Sequence, residues 1–258
     1  MAPYRAAVES GIAALRAIGT GVVGDVTTTG ESVDPLLASG LRGVVYYEVL
    51  SLHRDEARGR LTEARRKIDG WRRREGTMRV GLSVHALYSC HPDLFREAVR
   101  WCLADDVPLC VHAAESPAET ELLADGSGGF RELQLAFNLA NLPTPGLSPV
   151  AYLEELGVLE ARPLLIHCVE VGDEDIARIE RSGSTVVHCP RSNMRLRCKR
   201  MPLEKFLAAG VPVALGTDSL ASSPSLDVRD EAEAAVQMHA GRVPAETIRA
   251  LRHPTFPL

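Results

Sequence analysis

Seven side chains able to hold a metal ion or move a proton stand at or just past the ends of short apolar runs: Glu48, His85, His112, Glu115, His167, His188 and Asp218. Four of the chain's eight histidines are in this set, far more than chance would put at such positions. A neutral imidazole ending a buried strand can offer a lone pair to a divalent cation. In Val-His-Ala-Ala-Glu-Ser, Glu115 follows His112 by three residues and can face the same cavity as a proton shuttle. Alone, a His-x-x-Glu spacing fits a structural role equally well. His167 closes Leu-Leu-Ile-His, a setting in which a histidine is more often a satisfied core residue. Asp218, in Leu-Gly-Thr-Asp-Ser, is a carboxylate at an apolar end and calls for a cation or strong donors, or else caps a following helix.

These residues need elements to converge. Nearly continuous apolar, β-branched runs recur at 21–26, 43–49, 79–85, 108–112, 163–168, 184–189 and 212–217, each bounded by Gly, Pro or polar residues and followed by helical periodicity. Runs without alternation suit strands buried on both faces, so the spacing predicts a parallel α/β sheet. Amphipathic stripes, Val8, Ile12, Leu15 and Ile18 in one helix and Leu94, Val99 and Leu103 in another, supply the crossovers. The chain begins with a helix over 3–18. The segment 116–149, with Gly126, Gly128, Gly129 and Pro143-Thr-Pro-Gly146, reads as an enlarged loop with helix inside, lying over the mouth of the sheet. Seven strands are one fewer than a closed eight-stranded barrel needs, and a doubly wound open sheet is the alternative.

Length and composition support one domain over 1–258: 258 residues, 45% hydrophobic, 24% charged. A net charge of −5 supplies no global field for phosphate backbones or anionic lipid, so neither nucleic acid nor membrane is an expected partner. No apolar run approaches the length of a membrane span, and the expected location is cytoplasmic. Six cysteines without a Cys-x-x-Cys pair read as packed, reduced thiols. Gly19-x-Gly21-x-x-Gly24 has a dinucleotide-like spacing but follows a helix and enters a strand, the reverse of what that motif requires. Arginines over 54–74 alternate with acids as on a solvated helix face, and those over 195–200 are candidates to reach an anionic substrate group.

In order along the chain, Gly-Leu-Ser-Val-His85, Val-His112-Ala-Ala-Glu115-Ser, Leu-Ile-His167-Cys, Val-Val-His188-Cys-Pro-Arg-Ser-Asn193 and Leu-Gly-Thr-Asp218-Ser-Leu-Ala-Ser resemble the amidohydrolase superfamily. The similarity is to its branch of aminohydrolases and chlorohydrolases, and within it to aminofutalosine deaminase-like proteins. The resemblance implies a TIM-type (β/α)8 barrel and hydrolytic deamination of a purine-like or other heterocyclic small molecule. It implies one divalent metal, Zn²⁺ ahead of Fe²⁺, on His112, His167 and Asp218. His167 would also orient the attacking water, Glu115 would protonate a ring nitrogen, and Asp218 would accept the water's proton. His85, Glu115, His188 and Asn193 would contact substrate, with Ser192 shaping the same loop. The family's His-x-His first strand has no counterpart in the chain, and its flanking β-sandwich is expected to be absent. The run 21–26 aligns with the family's second strand, which leaves a barrel of strands two to eight. A catalytically silent barrel or ligand-binding module is the competing expectation. An open edge beside the first and last runs favours strand pairing with a partner, a homodimer included.

Overall fold

The computed structural model describes residues 2–138 and 143–253. Its elements run in the order α1 (Ala2–Ala17), β1 (Val22–Thr27), α2 (Val33–Leu37), β2 (Arg42–Val49), α3 (Arg54–Arg72), β3 (Met78–Val84), α4 (Pro92–Asp105) and β4 (Leu109–Ala113). Two helices then lie in the enlarged segment, α5 (Pro117–Asp125) and α6 (Gly129–Ala136), and α7 (Pro149–Glu155) follows it, with a 3₁₀ turn at Val158–Ala161. The chain continues through β5 (Leu164–His167), α8 (Asp173–Ser182), β6 (Thr185–His188), α9 (Pro190–Arg195), α10 (Leu203–Ala208), β7 (Val213–Leu215), α11 (Val228–Met238) and α12 (Ala245–Ala250). Each predicted strand is present. The enlarged segment contains the expected helix, its residues 139–142 lying outside the described ones.

All seven strands are parallel and neighbour one another in sequence order, β1 to β7. A doubly wound sheet would reverse its order at a switch point; none occurs among the described residues. Right-handed crossovers in a constant direction put the helices on one face and make the sheet curl. The curl is visible at Gly24 in β1. A Cβ built there would meet Leu164 of β5 at 3.8 Å and the Tyr46 ring at 4.0 Å. Four strand spacings across a flat sheet would separate β1 from β5 by about 19 Å. Among the described residues β1 pairs only with β2 and β7 only with β6.

Curling creates two cores. Between sheet and helices lie residues such as Val45, Val80, Leu82, Val111, Leu165, Val186, Phe95, Ile179 and Phe206. Inside the curl, Val44, Tyr46, Cys110 and Leu164 pack with Val26, Ile166 and Val187. Gly81 makes room for this inner plug, since a Cβ there would come within 2.6 Å of both the Tyr46 ring and the Pro108 carbonyl. One predicted stripe is corrected. Leu103 is half exposed, and α4 buries Leu94, Phe95, Ala98, Val99, Trp101 and Cys102. Leu103 is nine residues from Leu94, about two and a half turns, so it points the other way. The six cysteines are unpaired, and five are buried.

Candidate active site

Alternation along the strands decides which side chains enter the curl. Tyr46 and Cys110 belong to the inner core, so Glu48 and His112, two residues further along β2 and β4, also face inward. Ser83 of β3 is opposite both Glu48 and Cys110 in register, and its hydroxyl donates to Glu48 Oε1 at 3.3 Å. An apolar floor thus carries a polar rim at the C-terminal ends of the strands, where parallel barrels place their chemistry.

His167 reaches this rim by breaking the alternation. Leu165 packs toward the helices, and His167 would follow it there, but its φ of 78° is left-handed and its ring lies 5.6 Å from that of His112. Ala114, Cys168 and Asp218 also have positive φ, at 51°, 49° and 57°. Such conformations cost of order 1–3 kcal/mol each and collect at functional sites. The turn at Ala113 and Ala114 is fixed from β5, because Cys168 N–H donates to the Ala113 carbonyl and Val169 and Glu170 N–H both donate to that of Ala114.

The rings form a file, His85 to His112 at 5.0 Å and His112 to His167 at 5.6 Å. Hydrogen-bond partners assign their tautomers. His112 Nδ1 is 3.2 Å from the His85 carbonyl, which only accepts, so Nδ1 carries the proton. His167 Nδ1 is 3.3 Å from Asn193 Oδ1, with the same consequence. His85 Nδ1 is 2.6 Å from the Ser89 hydroxyl, which also lies 3.1 Å from the Ala86 carbonyl. His112 and His167 therefore keep the lone pair on Nε2, the state of a metal-ligating imidazole whose other nitrogen is anchored by the protein. Burial holds His112 and His167 below the ordinary histidine range and brings His85 down to about 4, so the rings are neutral at pH 7.

Three carboxylates flank the file. Glu115 Oε1 is 3.4 Å from His167 Nε2, and burial raises its carboxyl, which favours a proton held between them. Burial opposes ionisation of Asp218 but is outweighed by donors, Ser192 Oγ at 2.6 Å, Ser219 N–H at 2.6 Å and Ser222 Oγ at 3.1 Å, with His167 nearby, so its carboxyl stays below the usual range. Glu48 has no such help. Largely shielded from water, with the Ser83 hydroxyl at 3.3 Å and His112 Nδ1 at 3.9 Å as its partners among the described residues, it is pushed up to about 7 by desolvation. Among the described residues, Glu48, His85 and His112 form the group of three whose potential ligand atoms all lie within 4.8 Å of one another.

His188 is placed apart. It follows Val186 onto the helix side of the sheet, is fully buried, and its Nε2 is 3.1 Å from Nε2 of His239 at the end of α11. His239 Nδ1 accepts from Arg200, which also grips Glu204 with both terminal nitrogens. Arg200, the last arginine of the 195–200 stretch, is thus engaged inside the fold. Sequence reasoning missed His239 and Glu119. Glu119 is fully buried in α5, and its Oε2 accepts the Glu115 N–H at 2.9 Å. Glu115 lies in the turn before α5, so no helical spacing joined it to Glu119 and the sequence carried no signal for the pair. Beyond the file, Tyr88 sits edge-on to His85 at 5.6 Å and stacks on Phe130 of α6 at 4.0 Å, which ties the enlarged segment to the rim.

The model of the amidohydrolase family matches residues 4–252. Over 255 residues, 95% of the chain, the sequence is 41% identical to aminodeoxyfutalosine deaminase of Deinococcus radiodurans, of which it spans 61%. It is 32% identical over 220 residues, 82% of the chain, to 5-methylthioadenosine/S-adenosylhomocysteine deaminase of Syntrophobacter fumaroxidans, of which it spans 46%. The crystal structure of Helicobacter pylori aminofutalosine deaminase in complex with methylthio-coformycin superposes with a TM-score of 0.80 at 23% identity, over 95% of this chain and 60% of that one. The chain therefore spans about half to three fifths of the length of these relatives.

Proposed function

The chain belongs to the amidohydrolase family, and from that premise we propose that it performs hydrolytic deamination of a purine-like nucleoside or similar heterocyclic amine. The observation that carries the reading is Glu115 against His167 Nε2 at 3.4 Å, beside a second imidazole, His112, with a free Nε2. The donor set suits a divalent metal, Zn²⁺ ahead of Fe²⁺, because neutral, anchored imidazoles and partly buried carboxylates are what such an ion takes. His112, His167 and Asp218 serve that ion and the water beside it; when bound, it supplies a Lewis acid that makes water a nucleophile near neutral pH.

Glu115, whose carboxyl desolvation raises, gives a proton to a ring nitrogen of the substrate while water attacks the adjacent carbon. Asp218, kept ionised by its serine donors, takes the proton released by the water. Asn193 fixes the His167 ring through Nδ1, so that Nε2 points at the water and the departing amine. His85 is the substrate contact on the opposite side of His112, and the Tyr88 and Phe130 stack closes that side. His188 supports this arrangement from behind the sheet. The sequential parallel sheet supports the further reading that β1 to β7 are strands two to eight of a (β/α)8 barrel.

The test is ammonia release by the Zn²⁺- or Fe²⁺-loaded protein from aminodeoxyfutalosine, 5-methylthioadenosine and adenosine. Release from at least one is expected, and it should fall by about 10²–10⁴-fold in Glu115→Gln with metal content unchanged. Binding of metal without release from any of them would leave a ligand-binding barrel instead.

A further inference from the structure

We propose that Glu119, the third residue of α5, is a positioning residue for Glu115: its buried carboxyl holds the turn that aims the Glu115 side chain at the reacting atoms. The proposal rests on the deaminase reading for the proton that Glu115 delivers. The turn between β4 and α5 is short, with Ala114 at a φ of 51°. Its carbonyls are held from one side, because Cys168 N–H donates to the Ala113 carbonyl at 3.0 Å and Val169 and Glu170 N–H both donate to that of Ala114 at 2.8 Å. Its N–H groups are held from the other side. Glu119 Oε2 accepts the Glu115 N–H at 2.9 Å, and the Ala114 N–H bonds to the same carboxyl. Gripped by the loop after β5 and by α5, the Glu115 backbone is fixed from both directions, and its side chain brings Oε1 to 3.4 Å from His167 Nε2.

Helix capping alone does not account for this residue. Ser116-Pro-Ala-Glu119 has the spacing of a capping box, in which the third helical residue returns to the N–H of the cap residue itself. Here the carboxyl reaches past Ser116 to the two residues before it. An acid also favours a helix N-terminus through its charge, and burial suppresses that charge here. Glu119 is fully buried, desolvation pushes its carboxyl up to about 8, and its Oε1 has no hydrogen-bond partner among the described residues. A buried carboxyl with one oxygen idle is an unfavourable way to start a helix. Its length is what the site uses, since one methylene fewer would withdraw Oε2 from both amides. A displacement of about 1 Å at a group that must meet the reacting atoms can lower a rate about 100-fold.

Two substitutions separate the roles. Glu119→Asp keeps the acid and its capping ability but shortens the reach, whereas Glu119→Gln keeps the reach without an ionisable group. In the Zn²⁺-loaded protein, Glu119→Asp should lower kcat for ammonia release by about 10- to 100-fold, with KM and metal content within about 3-fold of wild type. Glu119→Gln should recover kcat to within about 3-fold. Amide hydrogen exchange over 112–116, read by mass spectrometry, needs no turnover. It should quicken by about 10-fold or more in Glu119→Asp and stay near wild type in Glu119→Gln. If Glu119→Asp fails to fold by circular dichroism, Glu119→Met, which keeps the length without an oxygen acceptor, takes its place in both measurements. Full kcat in the variant that cannot reach the amides, or equal losses in it and in Glu119→Gln, would overturn the positioning role and leave the deaminase reading standing. A wild type that releases no ammonia would overturn the deaminase reading, and exchange then decides. Faster exchange in Glu119→Asp alone upholds the hold on the Glu115 backbone, and equal exchange in all three proteins removes it.

Discussion

Buried ionisable residues give this protein a pH profile that can be followed group by group. Glu119 is fully buried and desolvation lifts it to about 8 from an ordinary 4.5. Its carboxyl is bound to its proton more tightly in the folded state, so this contribution to stability is complete below about pH 4.5 and is lost as pH rises through about 8. His188 and His239 run the other way, burial bringing them down to about 3 and about 4 from 6.5. Their contribution is complete above about pH 6.5 and is lost as pH falls through about 4. Urea midpoints measured between pH 4 and 9 should therefore decline at both ends, and Glu119→Gln should flatten the alkaline decline alone. An alkaline decline unchanged in Glu119→Gln would remove that group as its cause. At the same scale, the chemistry-bearing residues at strand ends were legible because a His or Asp closing an aliphatic run stands out. The side of the sheet each occupies was harder to read. His167 turns inward through a left-handed φ that no residue type announces, whereas His188 keeps strict alternation with Val186 and faces away.

Among the elements, the parallel strands were readable to within one or two residues because both faces are buried and the runs are uninterrupted. Helix faces were less legible, as the exposed Leu103 shows, because two or three apolar residues fit more than one phase. Glycines separate close packing from chain flexibility. A methyl group at Gly81 in β3 would strike the Tyr46 ring and the Pro108 carbonyl at 2.6 Å, so Gly81→Ala should cost about 1–3 kcal/mol in denaturant unfolding. Gly59 in α3 has no neighbour within 4 Å of such a methyl, and Gly59→Ala should stabilise by about 0.5–1 kcal/mol. A Gly81→Ala protein as stable as the wild type would mean that the inner plug is not the tightly packed layer described. On α11, His239→Ala should reach past its own helix, because it removes the acceptor of Arg200 and the partner of His188 together. A loss of about 1–3 kcal/mol is expected in the same unfolding assay.

As a whole, the molecule is a curled sheet in which β1 pairs on one side only among the described residues, whereas β7 is buried and its Leu215 N–H donates to the Leu251 carbonyl at 3.2 Å. Exposed edges recruit strands. Sedimentation velocity over about a hundredfold range of protein concentration should show self-association, and a strictly monomeric chain throughout would count against edge pairing. The absence of any described helix long and apolar enough to cross a membrane accords with the composition. The contact between Gly24 and Leu164 bears on how the chain is made. These residues are 140 positions apart, and a ribosome adding about 5–20 residues per second completes β5 about 7–28 s after β1. Until then β1 and β2 have no inner wall to close against, so nascent chains should hold the Tyr46 side of the sheet open to chaperones and proteases for most of their synthesis.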